Sequence, residues 1–140
     1  MKYFSTNRTG RTFILSLNQG EYVLETINDL IQKENIVNGV VVSGIGTLDK
    51  CTLHMVTTTG YPPVEYFDKR DDVPLELVSV QGVIADRTPH LHCTVSDSEK
   101  AYAGHLETGC RVLYLCEVVI QELLDLNIRR TPNEKNIRVL

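Results

Sequence analysis

The chain has 140 residues, a net charge of −4 and a hydrophobic fraction of 42%, enough to bury one core and without the basic excess of a general nucleic-acid surface. No apolar run approaches the roughly 20 residues a bilayer-spanning helix needs. The opening Met1-Lys2-Tyr3-Phe4-Ser5-Thr6-Asn7-Arg8 lacks an apolar signal core, so a cytoplasmic location is expected.

In chain order, Lys2 to Ser5 and Arg11 to Leu17 read as two strands of a hairpin turned near Gly10. Val23, Leu24, Ile27, Leu30 and Ile31 then form one helical stripe. Asn18 with Glu21 three residues on resembles a capping box, which predicts a helix from about Gln19 to Glu34 ending near Asn35. Gly39 to Ser43 is a β-branched run suited to a sheet centre. Gly44-Ile45-Gly46 should break it with a closely packed turn, and Cys51 to Thr58 should resume as a strand.

Thr59 to Pro74, with Gly60, Pro62, Pro63 and the charged Lys69-Arg70-Asp71-Asp72, reads as an exposed loop with at most a short strand near Tyr66. Strands follow at Leu75 to Ile84, Leu91 to Val95, Tyr102 to Leu106 and Arg111 to Leu124, with a polar turn at Ser96 to Lys100. These elements predict one α+β domain over residues 1–140, with its core at about 11–126. A mixed or antiparallel sheet should pack against one main helix.

The chemistry concentrates in histidine. His90-Leu91-His92 places two imidazoles on one face of a strand, because side chains alternate. His105, on a neighbouring strand, can complete a three-imidazole site for zinc or another divalent metal, with His54 alone outside the group. Glu76 and Glu117 are candidate catalytic residues, able to orient a ligand imidazole or act as a base. Gly104 and Gly109 would let backbones approach there. The competing reading makes each histidine an ordinary core or interface residue, since the spacing alone is not diagnostic.

Other motifs fail on inspection. Ser43-Gly44-Ile45-Gly46 has Asp49 where a dinucleotide fingerprint needs a third glycine, and it lacks the Lys-Ser/Thr pair of a P-loop. Cys93 points away from His92 across its strand, which disfavours a thiolate–imidazole pair. Cys51, Cys93, Cys110 and Cys116 show no C-x-x-C spacing and should stay reduced and buried. Arg8, Arg11, Arg129, Arg130, Lys135 and Arg138 could form a local basic patch or simply solvate the termini.

From about Thr12 to Leu126 the chain resembles the plants-and-prokaryotes conserved (PPC) domain family. The segments that carry this are Leu15-Ser16-Leu17-Asn18-Gln19-Gly20-Glu21, Ser43-Gly44-Ile45-Gly46, Glu76-Leu77-Val78-Ser79-Val80-Gln81-Gly82, His90-Leu91-His92 and Gly104-His105-Leu106, followed by Glu117. The resemblance implies an α+β domain assembled as a homotrimer, with a metal, zinc by preference, at His90, His92 and His105. It also implies a DNA-binding or regulatory label, carried in plants by an accompanying AT-hook. Here Arg8-Thr9-Gly10-Arg11-Thr12 lacks the Arg-Gly-Arg-Pro core of that motif, and Ala103 replaces the family's usual first glycine.

Two functions of different class are therefore expected. One is a trimeric metal-binding module with DNA or another protein as partner. The other is a zinc-dependent hydrolase or lyase acting on a small molecule at the three histidines, with Glu76 or Glu117 moving a proton.

Overall fold

A computed structural model describes residues 1–140. Its main elements are β1 (Thr9–Asn18), α1 (Val23–Lys33), β2 (Asn38–Val56), β3 (Glu65–Ala85), β4 (Thr88–Ser96), β5 (Ala101–Leu106) and β6 (Arg111–Leu123). The six strands form one sheet in the order β1-β6-β2-β3-β4-β5, and every pairing is antiparallel. A two-stranded hairpin, β7 (Thr131–Pro132) with β8 (Arg138–Val139), follows near the C-terminus. No helix is long and apolar enough to cross a membrane.

The sheet is not flat, because β2 changes partners along its length. Its first part, Gly39 to Lys50, pairs with β6, and further along Leu53 and His54 pair with Leu106 and His105 of β5. Strands β2, β3, β4 and β5 thereby close on themselves. Bulges between Gly46 and Lys50 make the bend, since an extra residue increases local twist. A Cβ on Gly46 would lie only 2.4 Å from the Leu115 carbonyl oxygen, so only glycine fits this crossing. The expected turn at Gly44 to Gly46 is thus strand, with glycine serving close approach across the sheet.

Helix α1 buries Val23, Ile27 and Ile31 completely, with Leu24 and Leu30 packed beside them. The apolar stripe accounts for that face, each full burial stabilising by about 1.5–3 kcal/mol. The helix starts later than the capping pair suggests. Asn18 donates its backbone N–H to the Glu21 carboxylate, and Glu21 and Gly20 are tied by backbone hydrogen bonds to Val112. That pair closes a turn, leaving Tyr22 as N-cap. Asn35, at φ 53, ends the helix in the left-handed conformation that asparagine tolerates.

Two further expectations are corrected. Residues 1–8 form no strand, so no hairpin precedes β1; Arg8 instead pairs with Asp125. The charged Lys69 to Asp72 run belongs to β3, opposite Lys50 to Thr52 of β2. Charged neighbours pair with part of it: Arg70 with Asp68 and Asp71 with Lys50, while the Arg70 guanidinium lies 3.3 Å from the Tyr102 ring centroid. All four cysteines are buried and unbonded, Cys51 and Cys110 with their sulfurs 3.9 Å apart.

Candidate metal centre

The alternation of β4 turns Leu91, Cys93 and Val95 into the core and leaves His90 and His92 exposed on the outer face. His105 is the direct cross-strand partner of His92. The three rings form a near-equilateral triangle, with centroids 5.4 Å apart for His90–His92, 5.1 Å for His90–His105 and 5.6 Å for His92–His105.

This spacing bears on whether one ion fits. An imidazole centroid lies about 1.1 Å behind its nitrogen, so three rings in tetrahedral positions at bond lengths of about 2.0–2.1 Å have centroids about 5 Å apart. The observed centroids are close to that size, but the three rings do not present one nitrogen each within 4.8 Å of the others, so they must turn to share an ion. Burial, then the nearby charges of His105, Arg130 and His92, lowers the pKa of His90. Burial, followed by His105 and His54, does the same for His92. Both rings therefore favour the neutral form that a metal needs.

The structure adds two residues that the sequence reading left out. His54, on β2, is the cross-strand partner of His105 on its other side, with ring centroids 5.9 Å apart. Its ring stacks on Phe67 at 4.7 Å and 10°. Glu107 follows β5, its backbone N–H bonded to the Thr52 carbonyl. Its Oε1 lies 2.9 Å from His105 Nδ1 and 3.4 Å from His54 Nδ1. The closest convergence of donor atoms is here, where one atom each of His54, His105 and Glu107 lies within 4.8 Å of the others. Glu107 stands two residues after His105, the spacing that shares a strand face, and that was the available signal.

Glu76 and Glu117 are elsewhere. Glu76 pairs with Ser96, four residues along β4 from His92, or about 13 Å at strand rise. Glu117 sits on β6 opposite Ser16 and Ile45, and β6 borders neither β4 nor β5. The structure brings neither carboxylate to the histidines. Of the two glycines, Gly104 makes the close approach, while nothing lies within 4 Å of a Cβ on Gly109, whose φ of +88° serves a turn.

The basic residues are largely engaged. Arg8 pairs with Asp125, Arg11 with Glu34 and Glu122, and Arg129 with Asp86. Arg130 donates to the Val83 and Thr88 carbonyls, and Arg138 to that of Arg130.

Solved structures share this fold. A metal-containing protein from Archaeoglobus fulgidus superposes with a TM-score of 0.82 at 22% identity, covering 100% of this chain and 98% of that one. A plant- and prokaryote-conserved (PPC) protein from Pyrococcus horikoshii gives 0.77 at 25% identity, over 97% and 96%. A candidate DNA-binding protein from Bacteroides thetaiotaomicron gives 0.76 at 23%, over 96% and 94%. Among curated proteins, the bifunctional protein GlmU of a Synechococcus strain is 26% identical over 124 residues, 88% of this chain but 18% of GlmU. The chain thus spans about a fifth of the length of the curated relatives it matches. Residues 4–124 match the family described as the Plants and Prokaryotes Conserved (PCC) domain, and with so much of its length matched the chain belongs to that family.

Proposed function

We propose that this chain is a metal-binding module that assembles as a homotrimer, with His90, His92 and His105 holding a zinc-like divalent ion. The observation that carries the reading is the triangle of ring centroids, 5.1 to 5.6 Å on a side. Imidazole nitrogen is a borderline donor that suits zinc. Such an ion supplies Lewis acidity or an activated water when bound. The chain's own contribution is to hold the rings neutral and fixed. In particular, Glu107 accepts a hydrogen bond at His105 Nδ1, which selects the tautomer and leaves Nε2 as the free donor.

Self-association is supported by the sheet face turned away from α1, which exposes Ile14, Val42, Ile45, Val78 and Leu115. Large apolar side chains exposed on one sheet face are candidates for an interaction site. Four unpaired thiols accord with a reducing, cytoplasmic compartment. DNA as a partner draws on the description of the Bacteroides structure, and the paired arginines give it little electrostatic support.

A second reading, a zinc-dependent hydrolase or lyase for a small molecule, draws on the exposure of His90 and His92. That exposure leaves the outer side of the triangle open to water. The carboxylate within hydrogen-bond reach of the group is Glu107.

The deciding experiment is zinc titration of the metal-free chain by calorimetry, repeated on His90→Ala, His92→Ala and His105→Ala. Each substitution should weaken binding by more than about 100-fold, beyond the loss typical of a supporting residue. Unchanged affinity in all three would reject the reading.

A further inference from the structure

The histidine face continues past the triangle. His54 and Glu107 lie on the far side of His105, and neither belongs to the three-histidine set. Three facts about them stand together. First, one donor atom each of His54, His105 and Glu107 lies within 4.8 Å of the others, with Glu107 Oε1 at 2.9 Å from His105 Nδ1 and 3.4 Å from His54 Nδ1. Donors bound to one ion at about 2.0–2.2 Å stand about 3.2–3.6 Å apart, so the two Glu107 distances need shifts of only a few tenths of an ångström and the His54–His105 pair, within 4.8 Å, at most about 1.5 Å.

Second, the ring of His54 is held flat on Phe67, and β5 is pressed against β2 through Gly104, so the geometry is built into the sheet. Third, His54 Nε2 is buried without a hydrogen-bond partner, with Glu65 Oε1 at 3.6 Å. With Nδ1 bound to an ion, Nε2 would carry the proton, and a small inward shift of Glu65 would bring its carboxylate into hydrogen-bond distance. That carboxylate–imidazole–metal order is how supporting residues orient a ligand ring.

We propose that His54, His105 and Glu107 form a second divalent-cation position, of two nitrogens and one oxygen, to which His90 and His92 contribute nothing. The donor set suits zinc. A neutral imidazole has one lone pair, so an ion here competes with the triangle for His105. Each position is therefore measured with the other disabled.

The test uses the full chain and zinc alone as probe. In a His90→Ala/His92→Ala background the protein should still bind about one zinc per chain. Adding Glu107→Gln, or His54→Phe, which keeps the stack on Phe67, should weaken that binding about 10- to 100-fold or more. Circular dichroism on each variant confirms the sheet, and either variant suffices alone. No zinc in the double-alanine background, or zinc held there regardless of Glu107 and His54, would overturn the proposal. The triangle is scored separately, by zinc bound to the His54→Phe chain and lost on adding His90→Ala. The two readings can thus fail independently.

Discussion

A Cβ placed on Gly104 would sit 2.8 Å from the His54 carbonyl oxygen and 3.3 Å from the Leu53 Cβ. The neighbouring backbone cannot yield as a flexible side-chain tip would. Gly104→Ala should therefore push β5 away from β2, costing about 1–3 kcal/mol by overpacking. Urea unfolding measures the cost. Zinc binding that involves His105 should weaken with it, as calorimetry on the same variant would show.

The carboxylates sort by position. Glu76→Gln and Glu117→Gln should leave zinc affinity within about twofold, because neither sits beside the histidine rings. Glu107→Gln should lower it about 10- to 100-fold, through loss of the carboxylate at His105 Nδ1. Equal effects from all three would show that the face acts only through net charge.

Acid should act on the triangle in a defined direction. His90 and His92 have folded pKa values below the usual 6.5, from burial first and neighbouring charge second. In the metal-free chain the unfolded state then takes up protons first. Their contribution is complete above pH 6.5 and declines as pH falls toward the folded values. Zinc occupancy should likewise hold near neutrality and fall at lower pH. Zinc retained in full at about pH 4, well below the ordinary histidine pKa, would exclude imidazole ligation.

Glu122 provides a second pH signature, away from the histidines. It accepts hydrogen bonds from the Arg11 side chain and backbone, and this pairing lowers its pKa. Its contribution is therefore present above the ordinary glutamate range and lost as pH falls through the folded value. Arg11→Ala should flatten this part of the stability–pH curve, as urea midpoints between about pH 5 and 3 would record.

The exposed apolar face predicts association. Sedimentation equilibrium should return three times the 15.8 kDa chain mass. Ile45→Lys with Leu115→Lys should shift it toward one, since charges buried in an interface are costly. A monomer at all concentrations would remove the trimer.

DNA binding is checked by salt. With Arg8, Arg11 and Arg129 already paired to carboxylates, affinity for duplex DNA should be undetectable even at about 50 mM salt, where phosphate contacts are strongest. Tight binding that weakens steeply with salt would reverse this.

Local patterns were readable directly from the chain. The stripe of Val23, Ile27 and Ile31 specified the helix, and the period of two put His90 and His92 on one face with Cys93 on the other. These follow from geometry within a few residues. The charged run in β3 was misread as loop because composition suggests solvent. An exposed strand face accepts charge when the partners across it, here Lys50 opposite Asp71, are polar too.

What sequence alone determined was the helix, the strands from β4 to β6 and two imidazoles sharing a side. What only the tertiary structure decided was their company: the partner change along β2 lays His54 beside His105 and draws in Glu107, leaving Glu76 and Glu117 apart. The reason is that which strands become neighbours depends on bulges and on packing between distant segments. Such pairings leave no periodic trace in the residues that make them.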